Sequence, residues 1–248
     1  MESIYKTHLT NAEVLTICKI LLDSRAFEKA GMTAMLDKLI SRSVPEADRE
    51  AVRKLIRNEE AHYEELQHHK DHRDHKKLID NLWTIGQAIS TSKYIEIEYR
   101  GLKGSEVKTR RLRPLAIMFS EFYFYLVAFL DDEAARKDFS VPNDPFPTIY
   151  RVDRILSLKV PGDHFRIERK DRFEEGEFRR RIQFMFGGRL RKIRFTYSGM
   201  SVESVLDRLP TAVIEKEENG VYTIYAEVFG DGIDMWLRSQ GDAVKVIK

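Results

Sequence analysis

The chain has 248 residues, of which 42% are hydrophobic and 33% are charged. This length predicts one or two domains of ordinary size, with enough apolar side chains for buried cores. The charges nearly cancel, to a formal net charge of +2 at pH 7, so the chain as a whole is not a polycation. Cys18 is the only cysteine, which excludes a disulfide framework and a cysteine-based metal site. No stretch has the length and apolarity of a transmembrane helix and no export signal opens the chain, so we expect a soluble, cytoplasmic protein.

Apolar residues at helical spacing predict that residues 1–90 are mainly helical. Thr10 and Glu13 form the pattern of a capping box, and an apolar stripe that starts at Val14 follows it. Further helices are predicted over Met32–Ile40 and after Ser43.

Three histidines, His68, His72 and His75, have a spacing that places them on one face of a helix. A metal site is one interpretation of this spacing. Lys70 and Arg73 stand among them and would repel a cation. A solvated polar helix is therefore the favoured interpretation, and no metal site is predicted.

From Lys93 the hydrophobic period changes to two, which is typical of strands. Ile95, Ile97 and Tyr99 alternate with charged residues, as in a half-buried strand. Further strands are predicted over Val107–Pro114, Tyr123–Leu130 and Thr148–Leu158. Five or so short strands joined by tight turns fit a small β-barrel.

The last part of the chain, from about Arg191, shows a different order of elements. Strand and helix patterns alternate as β-α-β-β-α-β, which is the ferredoxin-like pattern. Asn219-Gly220 is a strong signal for the turn of the central hairpin.

Three strand-like runs carry arginines and aromatics where a plain β-core would carry aliphatics: Arg110–Pro114, Tyr123–Ala128 and Tyr150–Ile155. Their order is an R-x-x-x-P strand, an aromatic-Tyr-Leu strand and an R-x-D-R strand. This order resembles the WYL domain of bacterial transcriptional regulators, with Phe124 at the position of the name-giving Trp. The resemblance implies a small Sm/SH3-like β-barrel that senses a ligand, often nucleotide-like or a nucleic acid.

A second motif set lies near the end of the chain. Ile233–Leu237, followed by Gly241 and Val244–Val246, resembles the WCX extension that follows many WYL domains. We therefore expect an α+β protein with a helical connector and dimerisation region, a WYL barrel, a linker and a ferredoxin-like WCX domain, over residues 1–90, 91–162, 163–189 and 190–248. The resemblance also implies a homodimer.

Arginines on core-facing positions are the main candidates for chemistry. Alternation places Arg110 on the face of Leu112, and a guanidinium there must be paired or line a pocket. Arg151 has two interpretations: a structural pair with Asp153, or a cradle for a phosphate. Tyr125 likewise either packs in the core or offers a stacking surface and a hydroxyl donor.

The resemblance assigns a polar surface to these strands. The matching positions are Arg110, Tyr125, Arg151 and Arg154, with Tyr99 and Ser120 as additional positions. We expect these residues to bind a phosphate-bearing ligand, a nucleotide or a single-stranded nucleic acid, with Arg151 as the anchor. No cofactor is predicted.

Two classes of function remain open. No G-x-S-x-G, H-E-x-x-H, Walker loop or glycine-rich dinucleotide turn occurs, so we do not expect an enzyme. The first interpretation is the ligand-sensing and dimerising part of a transcriptional regulator, which binds DNA through a winged helix-turn-helix absent from this sequence. The second is a stand-alone nucleic-acid-binding or protein-interaction module. An in-frame winged helix encoded upstream of Met1 would select the first.

Overall fold

The computed structural model describes residues 9–66, 75–101, 106–131, 146–166 and 173–247. The chain divides into two units, one formed by residues 1–80 with 121–123 and the other by residues 81–120 with 124–248. The described residues are an α+β protein, with helices first and antiparallel sheets after them, as the sequence predicts. None of the helices within these ranges is long and apolar enough to cross a membrane. His68, His72 and the side chain of His75 lie outside the described residues.

The first unit is built from three helices, α1 (Asn11–Ser24), α2 (Lys29–Ser43) and α3 (Arg49–Ala61). The predicted capping box is confirmed, since the Glu13 amide donates to the Thr10 hydroxyl and the Thr10 amide donates to the Glu13 carboxylate. The apolar stripes of the three helices are buried in a common core: Val14, Cys18, Leu22, Met32, Leu36, Ile40, Val52 and Ile56. A fourth helix, α4 (His75–Ser90), runs into the second unit.

The second unit begins with a five-stranded antiparallel sheet. Its strands are β1 (Ile95–Arg100), β2 (Val107–Ser120), β3 (Tyr123–Leu130), β4 (Thr148–Arg151) and β5 (Ile155–Lys159). They are ordered β4-β3-β2-β1-β5, so the last strand returns to pair with the first. Leu126, Val127 and Ala128 are consecutive and fully buried, so β3 is covered on both faces.

The prediction of one strand over Thr148–Leu158 is wrong, because a 3-10 turn, Val152–Arg154, separates β4 from β5. The two strands lie at opposite ends of the sheet order, four strand spacings apart. In a flat sheet these spacings add up to about 19 Å. The chain from Arg151 to Ile155 spans at most about 14 Å. The sheet must therefore roll up, which produces the small barrel.

The C-terminal part forms a second sheet, of four strands. Its elements are β6 (Leu190–Tyr197), α6 (Glu203–Arg208), β7 (Val213–Glu218), β8 (Val221–Phe229), α7 (Gly232–Ser239) and β9 (Val244–Ile247). The order β-α-β-β-α-β is the predicted one, and the strands are arranged β7-β8-β6-β9, all antiparallel. Asn219 and Gly220 both have positive φ, as the predicted hairpin turn requires.

The segment predicted as a linker, residues 163–189, contains a helix that the sequence did not reveal. This helix, α5 (Glu175–Arg181), buries Phe178, whose ring stacks on Phe229 of β8 at a centroid distance of 5.5 Å. Phe178 also joins a buried cluster with Met118 of β2 and Val127 of β3. The helix therefore packs between the barrel and the C-terminal sheet.

The loop after α5 approaches the start of α7 and the residues just before it so closely that side chains do not fit. A Cβ on Gly232 would lie 2.0 Å from the carbonyl oxygen of Gln183, and a Cβ on Gly230 would lie 2.4 Å from that of Gly187. Gly230 also has a φ of +66°, which L side chains rarely adopt. Two glycines thus allow the backbone contact that fixes α5 against the C-terminal sheet.

We expect Gly232→Ala to lower the free energy of unfolding by about 1–3 kcal/mol, because the new methyl group can be accommodated only by moving backbone. Gly176→Ala is the matched control: among the described residues, no atom lies within 4 Å of the place that its methyl group would take. Gly176 also lies in α5, where alanine is favoured by up to about 1 kcal/mol. Urea denaturation of both variants tests this. Equal stability of the two would contradict the close backbone contact.

Candidate ligand-binding site

Two tyrosines meet where β1 faces the 3-10 turn Val152–Arg154, which joins β4 to β5. This turn, with the strand residues that pack against it, is called the corner. Tyr99 continues the buried face of Ile95 and Ile97, so its ring points into the barrel. Its ring and that of Tyr150 on β4 pack edge to face, with centroids 5.0 Å apart. The backbone amide of Arg151 donates to the Tyr99 hydroxyl at 3.2 Å. Tyr99 therefore ties β1 to the corner.

Arg151 and Asp153 form a largely buried ion pair. The Arg151 Nε and Nη2 donate to the two carboxylate oxygens of Asp153 at 3.1 and 2.6 Å. The two side chains are only 15% and 12% exposed. Both carboxylate oxygens are engaged, so the geometry is that of the structural pair, one of the two interpretations left open by the sequence.

Tyr125 lies directly across the β3–β4 ladder from Arg151, whereas Tyr150 lies across from Leu126. Directly opposed residues share a face of the sheet, so Tyr125 and Tyr150 point to opposite faces. Tyr125 packs against the buried cluster that contains Val127. This packing agrees with the interpretation of Tyr125 as a core tyrosine.

Arg110 lies opposite Ile97 in the β1–β2 ladder, on the face that Ile97 buries. The positive charge of Arg110 lowers the pKa of Tyr150, but burial of the tyrosine dominates and raises that pKa to about 12. Arg110 and Tyr150 are therefore close enough to interact electrostatically. The predicted core-facing orientation of Arg110 agrees with the observed register.

Arg154 lies in the 3-10 turn, next to the residue that pairs with Tyr99. Burial raises the pKa of Tyr99, and the charge of Arg154 acts in the opposite direction. The Nη1 atom of Arg154 is buried without a hydrogen-bond partner in the described part of the chain. Arg154 thus brings a buried donor to the corner.

The Tyr150 hydroxyl is a second such donor. Its side chain is 4% exposed, and within the described residues its hydroxyl has no hydrogen-bond partner. The Thr148 side chain lies near enough to lower the pKa of Tyr150 but not in hydrogen-bond geometry. Sequence reasoning missed Tyr150, although strand alternation places it on the face opposite to Arg151, towards the barrel interior.

Arg111, Arg113 and Ser120 lie away from this corner, as their described contacts show. Arg111 points to the outer face, where it forms an ion pair with Asp163 at 2.9 Å and lies over the ring of Tyr94 at 4.3 Å. Arg113 faces Asp131 on the same side. Ser120 ends β2, and no described contact joins it to the tyrosines of the corner.

The corner therefore collects four of the six predicted positions, Tyr99, Arg110, Arg151 and Arg154, together with Tyr150 and Asp153. The negative charge that acts on Tyr99 is that of the Asp153 carboxylate, which is already bound to Arg151. The remaining polar groups, Arg154 and the tyrosine hydroxyls, are hydrogen-bond donors. Such an arrangement can hold an anion that brings its own acceptors.

The fold is a small β-barrel made from a rolled five-stranded antiparallel sheet, with partly buried arginines and tyrosines at its closing corner. A family model described as the WYL domain matches residues 80–160. The chain thus contains a WYL domain, and the predicted resemblance is confirmed over this segment. The likeness of the C-terminal part to the WCX extension stays a prediction.

Solved structures that are similar to the chain include the following two. One is the proteasome accessory factor B/C (PafBC) of Arthrobacter aurescens, at 16% identity and a TM-score of 0.34 over 97% of this chain. The chain spans only 33% of the length of that protein. The other is described as a CRISPR Cas-related protein, at 16% identity and a TM-score of 0.43, covering 99% of this chain and 70% of that one. Likenesses this distant do not bear on the function of this chain. A comparison with curated proteins gave no match.

We expect Arg151→Met to lower the free energy of unfolding by roughly 2–4 kcal/mol, because it removes the guanidinium that binds both oxygens of the largely buried Asp153 carboxylate. The double variant Arg151→Met/Asp153→Leu should recover most of this loss, since neither charge remains. Chemical denaturation of the two single variants and the double variant measures the coupling. Additive losses would contradict a structural ion pair.

The buried hydroxyl of Tyr150 predicts a pH dependence of stability. Its pKa is raised from 10.0 to about 12, so the folded state holds the proton more tightly than the unfolded chain. The corresponding stability is present below pH 10 and is lost as the pH rises towards 12, by roughly 3 kcal/mol. Tyr150→Phe should lose less stability over this interval, by about that amount, in denaturant titrations from pH 9 to pH 12. Parallel curves for the variant and the parent protein would show that Tyr150 is not protected.

Proposed function

We propose that the corner of the WYL barrel binds a phosphate group of a nucleotide or of a single-stranded nucleic acid, and that this binding serves ligand sensing in a transcriptional regulator. The observation that carries the proposal is the pair of buried donors without acceptors, Tyr150 and Arg154, among the residues that the structure describes. A buried donor left without a partner costs about 1–3 kcal/mol. A phosphate supplies several acceptor oxygens and a negative charge, so it relieves this cost.

The arrangement favours Arg154 over Arg151 as the anchor. The Asp153 carboxylate already accepts hydrogen bonds from the Nε and Nη2 atoms of Arg151. The Nη1 atom of Arg154, in contrast, has no acceptor among the described residues. In this proposal Arg151 and Asp153 hold the turn, Tyr99 positions it against β1, and Arg154 contacts the ligand. Arg151 as anchor, which is expected from the sequence, stays a prediction.

The proposal includes the partners that the resemblance implies. The chain acts as a homodimer, and the ligand controls DNA binding through a winged helix-turn-helix outside this sequence. The role is one of binding, without catalysis. Support for these parts comes from the WYL domain, whose resemblance is to regulators, and from the absence of catalytic motifs noted in the sequence.

We expect Arg154→Met to weaken binding of a labelled single-stranded oligonucleotide by about ten- to a hundredfold, since a hydrogen bond to a charged group contributes about 1.5–3 kcal/mol. Arg100→Met is the matched control, because Arg100 is an exposed arginine at the end of β1. Anisotropy titrations at fixed ionic strength, with a panel of nucleotides as competitors, give the affinities.

Thermal melts run beside the titrations separate folding from binding. The control should bind like the parent protein. Equal losses for Arg154→Met and Arg100→Met would indicate non-specific attraction between the protein and the nucleic acid and would contradict the site. Failure of the parent protein to bind any oligonucleotide or nucleotide would reject the proposed function itself.

A further inference from the structure

We propose that the corner recognises a terminal phosphate, a phosphomonoester, rather than an internal phosphodiester of a nucleic acid strand. This inference rests on the proposed function and deepens it by naming the chemical group that binds. It comes from the number, direction and burial of the donors at the corner.

The donors come from three different elements. Tyr99 belongs to β1, Tyr150 to β4 and Arg154 to the 3-10 turn. The edge-to-face packing of the two tyrosine rings and the pairing of Tyr99 with Ile155 keep these elements together. The donors therefore belong to three elements that meet at the corner, and not to one exposed strand.

The donors also match the oxygens of a phosphomonoester in number. The Tyr150 hydroxyl and the Arg154 Nη1 lack partners within the described ranges. The Tyr99 hydroxyl accepts from the Arg151 amide, which leaves its own hydrogen to donate. Three donors from separate elements can each meet a different terminal oxygen of a phosphomonoester, whereas on a phosphodiester two of them must share one non-bridging oxygen.

Burial gives an independent argument. Tyr150 is 4% exposed and the Arg151–Asp153 pair closes the corner with side chains that are 15% and 12% exposed. An internal phosphodiester needs room for a nucleotide on each side, while a terminal phosphate needs room for one ester link. A buried corner therefore fits the end of a strand or a free mononucleotide.

The larger negative charge of a phosphomonoester also favours its binding over that of a phosphodiester. A phosphomonoester carries about −1.5 to −2 charges at pH 7, and a phosphodiester carries one. The Asp153 carboxylate is compensated by Arg151, so it does not oppose the ligand. The Arg154 guanidinium then faces the anion with the larger charge, which strengthens the preference for a phosphate end.

The test compares single-stranded oligonucleotides of one sequence that carry a 5′-phosphate, a 3′-phosphate or hydroxyl groups at both ends. A nucleoside monophosphate and inorganic phosphate serve as competitors, and they distinguish a strand end from the phosphate group alone. We expect one phosphorylated end to bind about tenfold more tightly than the hydroxyl-ended strand, as one charged hydrogen bond contributes. Tyr150→Phe should bring the ratio of the two Kd values close to one, and Arg100→Met should leave the ratio unchanged.

The outcomes separate this inference from the proposed function. Equal affinity for the phosphorylated and hydroxyl-ended strands, with binding that still depends on Arg154, would overturn the terminal-phosphate preference and leave the proposed site in place. A phosphate preference that survives Tyr150→Phe would assign it to another part of the surface and overturn the inference. Absence of binding to every probe would reject both. Thermal melts establish that Tyr150→Phe is folded in each arm.

Discussion

The connection between β4 and β5 is too short to cross a flat sheet, and the roll that it imposes brings β1 and β4 together. Only Val152–Arg154 lie between two strands that occupy opposite ends of the sheet order. The same turn carries Asp153 and Arg154, and the residues just before it are Tyr150 and Arg151. The constraint that closes the barrel thus also concentrates the polar side chains at one point. The short connection between β4 and β5 therefore determines both the closure of the barrel and the position of its polar side chains.

Strand alternation predicts the part of the site that lies within regular strands. It places Arg110 on the face of Leu112, and the ladder opposite Ile97 agrees with this. It fails at the corner, because alternation through residues 148–158 assumes an unbroken strand. In the structure the 3-10 turn changes the direction of each following side chain. Whether Arg151 or Arg154 binds the Asp153 carboxylate is decided by this turn and not by the period of the sequence.

Helix α5 illustrates a different limit of sequence reasoning. Glu175–Arg181 is mostly charged, and its only large apolar residue is Phe178. Helical periodicity needs several apolar positions, so a helix of this length and composition gives no readable pattern. Its stability comes from tertiary packing: Phe178 stacks on Phe229, and the loop that follows the helix meets glycines too closely for any side chain. Such contacts exist only after the chain has folded, whereas the β-α-β-β-α-β order beyond them follows local patterns and is predictable.

The buried donors at the corner lower the stability of the folded state, and the same donors favour the binding of a ligand that supplies acceptors. The Tyr150 hydroxyl is removed from water and has no hydrogen-bond partner among the described residues, which destabilises the folded state, so phenylalanine at position 150 would stabilise the fold at least as well. Retaining the hydroxyl makes physical sense if a ligand supplies the missing acceptor. Because such a ligand binds only the folded barrel, it stabilises that state by an amount that grows with its concentration relative to Kd. Tyr99 bonds to the turn from β1, so the gain is shared between the strands that meet at the corner. If the corner binds a phosphate as proposed, ligand concentration is therefore coupled to the rigidity of the closing edge of the barrel.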